Sequence, residues 1–265
     1  MAGWIWRYDA GGQFCGQFFG SFVISLAGIS ITVLTLVLAL PKEHRHTGHF
    51  RLLYTTLVVA TLACIQGAHL MGDAASWESR FSGAAPYEGS IQAFMTAAPT
   101  GYVATVLVMF ALVLLPKVYD PTFPRIIRYI LLATLAAEVV GSRLSMIPQV
   151  WSGAGVSHNK PAVIVAVIGG IGLGVYEARA HGSDFADYLP LIICWVIVCL
   201  CGAVYGIVCP KFAEGHWWLI TWLYALGATW PSSALIGCAC RLTAHPENMP
   251  QKSETDERVP SLTWE

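Results

Sequence analysis

The stretch WWLITWLYALGATWPSSALIGCAC, from Trp217 to Cys240, runs without a single Asp, Glu, Lys or Arg. A helix of about 20 apolar residues crosses the hydrocarbon core of a bilayer. Inside that core the backbone must be helical, because no water is present to satisfy open amides. The segment also contains no lysine, so it offers no buried amine.

Six further apolar stretches precede it, at Phe18 to Leu40, Leu52 to Met71, Ile91 to Leu115, Ile126 to Met146, Pro161 to Tyr176 and Leu189 to Val208, and the last stretch itself extends to Arg241. The fifth is short and rich in glycine (Gly169, Gly170, Gly172, Gly174), a composition that lets neighbouring helices approach closely. With 55% hydrophobic and only 12% charged residues, the chain reads as a membrane protein and not as a soluble domain. A formal net charge of -1 provides no basic field for nucleic acid, so partners of that class are excluded. The expected fold is an all-α bundle of seven transmembrane helices over residues 17–242. It is preceded by an aromatic amino-terminal segment, 1–16, and followed by a polar tail, 243–265.

Basic residues set the orientation. Lys42, Arg45 and Arg51 lie in the first loop, Lys117, Arg125 and Arg128 in the third, Arg179 in the fifth, and Arg241 after the last span; the alternate loops hold Arg80, Lys160 and Lys211. The positive-inside rule then places the amino terminus outside and the carboxyl terminus inside. Trp4, Trp6 and Arg7 precede the first span without a small-residue cleavage site, so it reads as a retained helix.

Six of the eight cysteines (Cys64, Cys194, Cys199, Cys201, Cys238, Cys240) fall in apolar stretches, where a thiol behaves as a small hydrophobe. Cys199-Leu-Cys201 and Cys238-Ala-Cys240 have a spacing that suits neither a redox pair nor a zinc knuckle, so no metal site is expected. Only His69 lies inside a span, near its end, which is a poor basis for axial ligation of a haem and an ordinary place for an interfacial histidine.

Ser21-Phe-Val-Ile-Ser-Leu-Ala27, Leu53-Leu-Tyr-Thr-Thr-Leu-Val-Val-Ala60, Asn159-Lys-Pro-Ala-Val-Ile-Val165 and Val175-Tyr-Glu-Ala-Arg179 resemble the first, second and fifth helices of the microbial rhodopsins, and of proteorhodopsin-like pumps among them. The resemblance covers nearly the whole membrane region. It implies a rhodopsin-like bundle, yet the positions that carry the family's chemistry are changed. In the third helix the family has an arginine, a counter-ion aspartate, a tryptophan, a threonine and a proline ahead of a proton-donor carboxylate. The similar stretch here is Ser90-Ile-Gln-Ala-Phe-Met-Thr-Ala-Ala-Pro99. Anchored on Pro99, those positions hold Ser90, Ala93, Phe94 and Ala97, and the donor position holds Ala104. Where the sixth helix has Trp-x-x-Tyr-Pro against the polyene, this chain has Trp195-Val-Ile-Val198-Cys199. Ala225 and Thr229 occupy the seventh-helix places of the aspartate and the Schiff-base lysine.

A register slip does not restore the site. The five lysines, Lys42, Lys117, Lys160, Lys211 and Lys252, all lie in loops, at helix ends or in the tail. A light-driven pump shifts protons among buried carboxylates and an imine, and none of these remains. No covalent cofactor is therefore expected. Phe94, Pro99, Trp195 and Thr229 are the residues against which a noncovalent carotenoid, retinal, chlorophyll or lipid would lie, although aromatic helix packing accounts for them as well. The charges left within a span are Glu138 and Arg143 in the fourth, about 7 Å apart along a helix axis. They read as an ion pair, an interface with a partner, or a transport relay. Glu177 and Arg179, at the end of the fifth span, read as snorkelling residues.

From Thr243 to Glu265 the chain is polar and punctuated by Pro246, Pro250 and Pro260, a composition that stays disordered unless a neighbouring subunit holds it. The functional expectation is an accessory or structural subunit of a larger respiratory or photosynthetic membrane complex, in an organellar energy-transducing membrane, with lipids and other membrane subunits as partners. The alternative is a stand-alone transporter, channel or sensor that reuses the bundle. No Ser-His, metal-ligand or paired-carboxylate constellation lies at one depth, so an enzyme is not expected.

Overall fold

The computed structural model describes residues 11–40, 48–76, 86–119, 129–137, 160–180, 184–208 and 217–244. These form seven helices, with no strand among the described residues: α1 (Gly11–Leu38), α2 (Gly48–Ala75), α3 (Pro86–Tyr119), α4 (residues 129–137), α5 (Lys160–Arg179), α6 (Asp184–Val208) and α7 (Trp217–Ala244). Each corresponds to one apolar stretch of the sequence. α1 begins at Gly11, inside the segment assigned to the amino-terminal extension.

Five helices are long and apolar enough to cross a membrane: Gly16–Leu38, Gly48–Ala75, Gln92–Pro116, Pro161–Arg179 and Ala186–Val208. The glycine-rich fifth stretch is one of them, a helix of 20 residues. α7 is not among the five, although it is continuous over 28 residues. Four tryptophans, Pro231 and the pair Ser232 and Ser233 lower its hydropathy. A helix flanked by α3, α5 and α6 has little need of lipid-compatible side chains all round. For the fourth stretch only 129–137 are described, too few to span.

α3 is the central helix. It packs against α1, α2, α6 and α7, and 72% of its most apolar window is buried, against 17% for α1 and 22% for α5. Its inward face carries Val103, Leu107, Phe110 and Leu114, all at 1% exposure or less. The outward faces of α1 (Phe18, Ile24, Ile31, Leu36) and α5 (Ile164, Ile168, Ile171, Tyr176) are at least half exposed, and such surfaces belong against hydrocarbon. The fold is that of an integral membrane protein.

Small residues bring the backbones together. A Cβ on Gly16 would lie 2.9 Å from the Ala75 amide nitrogen, and one on Gly67 would lie 3.1 Å from Thr100 Oγ1, so α1, α2 and α3 form one tight group. α5 and α7 form a second, with Gly169 on the Trp230 indole at 3.1 Å and Gly170 on Ser233 Oγ at 3.1 Å. Further along, a Cβ on Gly237 would collide with the Gly174 carbonyl oxygen. Backbone approach of this kind is how helices associate where lipid competes for every apolar contact. Hydroxyl groups along the helices bond to carbonyls one turn back, as Thr56 does to Leu52 (2.8 Å), Thr96 to Gln92 (2.8 Å) and Ser232 to Ala228 (3.1 Å). That satisfies these three hydroxyls without a partner helix.

Candidate functional site

Small side chains are buried in the bundle. Ala93, Ala97 and Ala104 on α3 are 0% exposed, in phase with Thr100, which meets Gly67 of α2, and Ala225 and Ala228 on α7 are 2% exposed. α3, α6 and α7 meet at Gly227, where a Cβ would sit 2.7 Å from Pro99 Cβ and 3.0 Å from Ile197 Cγ2. A cofactor the size of a polyene needs a cavity of roughly 300 Å³ or more. At Gly227 the helices leave less than the width of a methyl group.

The four pocket candidates do not converge. Pro99 is buried against Gly227. Thr229 is 5% exposed, and its hydroxyl donates to Ala225 O at 2.5 Å. Phe94 faces α1, with its ring centroid 5.8 Å from that of Phe19. Trp195 is 39% exposed, because the inward face of α6 is formed by Leu191, Cys194, Val198 and Cys201 and Trp195 lies beside that stripe. Glu138 and Arg143 fall outside the described residues.

Among the described residues, the buried polar and charged side chains are hydroxyls, one amide and one carboxylate. Gln92, Thr96 and Thr100 are all 0% exposed and line one face of α3. Tyr102 of α3 and Tyr224 of α7 bring their hydroxyl oxygens to 3.4 Å. The tyrosine pair reaches across two helices, whereas the hydroxyls of Thr96 and Thr100 return to Gln92 O and Ala97 O of α3 itself.

The carboxylate is Glu177. The sequence assigned it to a snorkelling position, and the structure corrects that reading: its side chain is 0% exposed and faces α7. Gly170, Gly174 and Glu177 are spaced i, i+4 and i+7, so they share one face of α5 and that face is the α5/α7 seam. Arg179, two residues on, is exposed, as a snorkelling residue should be. Arg241 reaches the same place from the last turn of α7. Its Nη2 lies 2.8 Å from Asp187 Oδ1 and 3.9 Å from Glu177 Oε2, and it donates to Ala186 O at 3.2 Å. Its Nη1 donates to Ala180 O at 3.4 Å. One guanidinium thus ties the end of α5, the start of α6 and the end of α7. The spacing within α5 was the signal available in the sequence, whereas Asp187 and Arg241 come to it only through tertiary packing.

A second polar locus lies between α2 and α6. Gln66 lies on Gly202, and beside it is an open cleft of about 430 Å³ lined by Gln66, His69, Asp73 and Tyr205 over Gly202 and Gly206. His69 Nε2 is 3.7 Å from Asp73 Oδ2, an ion-pair distance, and the imidazole is largely exposed. Of the cysteines in these helices, Cys64, Cys194, Cys201 and Cys238 are buried free thiols and Cys199 faces outward.

Comparison with protein-family models, with curated proteins and with solved structures finds no match for the chain.

Proposed function

We propose that this chain is a rhodopsin-like seven-helix membrane protein, amino terminus outside and carboxyl terminus inside, that has lost retinal-based proton pumping. It serves as an accessory or structural subunit of a larger membrane complex. The observation that carries the reading is the junction at Gly227. Pro99, Ile197 and Gly227 fill the space between α3, α6 and α7 in which the resemblance would place a chromophore. The counter-ion, donor and aspartate positions hold Ala93, Ala104 and Ala225, all buried and none able to carry a proton. What the bundle retains is a core closed by small-residue contacts with broad apolar outer faces on α1 and α5, which is what a scaffold helix layer needs.

Purification from the native membrane in mild detergent tests this. The expected result is a particle several times heavier than the 28.7 kDa chain, with other membrane subunits in it. No visible band should bleach with hydroxylamine, a reagent that attacks imines. A monodisperse single-chain particle removes the subunit reading. A bleachable pigment, or light-driven acidification by vesicles holding this chain alone, removes the loss of pumping.

A further inference from the structure

We propose that Glu177 is a proton-binding site at the α5/α6/α7 end of the bundle, where a proton and the Arg241 guanidinium compete for one buried carboxylate. This goes beyond the subunit reading and does not depend on it.

Three facts carry it. First, both carboxylate oxygens of Glu177 are buried and neither has a hydrogen-bond partner. Second, the nearest cation favours another carboxylate. Arg241 Nη2 stands 3.9 Å from Glu177, outside hydrogen-bond range, but 2.8 Å from Asp187; its Nη groups also donate to Ala180 O, Ala186 O and Cys238 Sγ, while its Nε makes no hydrogen bond. Third, Glu177 cannot withdraw. Its Cβ lies 2.9 Å from where a Cβ on Gly237 would stand, in the tightest part of the α5/α7 seam. An ionised carboxylate stripped of water and given no donor is among the least tolerable groups in a protein interior, whereas the neutral acid fits the site as observed.

Among the described residues, the charged and titratable groups around Glu177 are Arg241 and Cys238 from α7 and Asp187 from α6, with Arg179 exposed on its own helix. The guanidinium lies nearer Asp187 than Glu177. Hydronium gives its proton to the carboxylate, leaving the acid and water. On release, the guanidinium swings from Asp187 toward Glu177 Oε2. Proton occupancy therefore decides whether α7 is tied to α6 or to α5.

The test uses the full chain in phosphatidylcholine vesicles, followed by infrared spectroscopy through a pH titration. The wild type should show the carbonyl stretch of a protonated carboxylic acid near neutral pH. That band should move when glutamate carboxyls carry carbon-13, and it should vanish in Glu177→Gln. Asp187→Asn frees Arg241 to turn to Glu177, so about tenfold or more additional proton concentration should be needed to keep the band. A purely structural, ionised Glu177 predicts no acid band in the labelled wild type. That outcome, a band that persists in Glu177→Gln, or a titration unmoved by Asp187→Asn, overturns the proposal. Should Glu177→Gln not fold, the labelled wild type and Asp187→Asn decide it between them.

Discussion

Gly237→Val is expected to lower stability by about 3 kcal/mol, which corresponds to a fall in melting temperature of roughly 6–12 °C for a chain of this size. The first carbon of the new side chain would overlap the Gly174 carbonyl oxygen and press on Glu177 Cβ at 2.9 Å. A backbone oxygen gives way only if the two helices part. Parting them would also open the contacts of Gly169 with Trp230 and of Gly170 with Ser233. Gly172→Ala is the control. A Cβ there meets nothing within 4 Å, so it should melt with the wild type or slightly above it, since alanine favours a helix over glycine. Loss of helical circular dichroism on heating reads both. If Gly237→Val melts with the wild type, α5 and α7 do not pack as described.

Arg241→Ala should cost about 2–3 kcal/mol, less than a fully buried pair because the Asp187 side chain is 39% exposed. The loss has two parts. Asp187 loses its cation, and the carbonyls of Ala180 at the end of α5 and Ala186 at the start of α6 lose their donors from α7. Arg241→Lys should recover only part of the stability, because an ammonium is a point charge and does not offer the planar fork that serves both carbonyls and the carboxylate. Combining Arg241→Ala with Asp187→Asn should cost less than the sum of the two changes, since the second removes the charge the first leaves uncompensated. Arg179→Ala, at the exposed end of α5, should change stability by no more than about 0.5 kcal/mol. Limited proteolysis between α5 and α6, alongside thermal melting, distinguishes local loosening from global unfolding. Equal melting of Arg241→Ala and wild type would show that the tie contributes nothing.

The helices were legible in the sequence because hydrocarbon leaves the backbone a single choice, and charge-free runs such as Trp217 to Cys240 record that constraint directly. The glycines of the fifth stretch announced a close neighbour without naming it. Glu177 was misread for a related reason. A position along a helix axis can be taken from sequence, but rotation about that axis depends on which helix lies alongside, and the end of α7 that meets α5 is distant in the chain, Arg241 standing 61 residues from Ala180. Read by depth alone, a glutamate two residues before an arginine at a span's end belongs in water. Read by its phase with Gly170 and Gly174, it belongs in the seam. Trp195 shows the converse. Tryptophan at a motif position suggested a wall of a pocket, yet the phase of Leu191, Cys194 and Val198 turns it outward. Glu138 and Arg143, the charges weighted most heavily from sequence, lie outside the described residues.

The backbone contacts divide the bundle into two clusters, α1 with α2 and α3 through Gly16, Gly67 and Gly101, and α5 with α7, joined chiefly where Pro99 meets Gly227. Each cluster lies within one half of the chain, α6 standing between α5 and α7 in sequence, and no close contact requires the covalent link between α3 and α4. A polypeptide severed there should behave as two fragments that insert independently and then recognise each other by shape. Co-expressed halves would co-purify, and Gly227→Leu on the second half would keep them apart while leaving each one inserted.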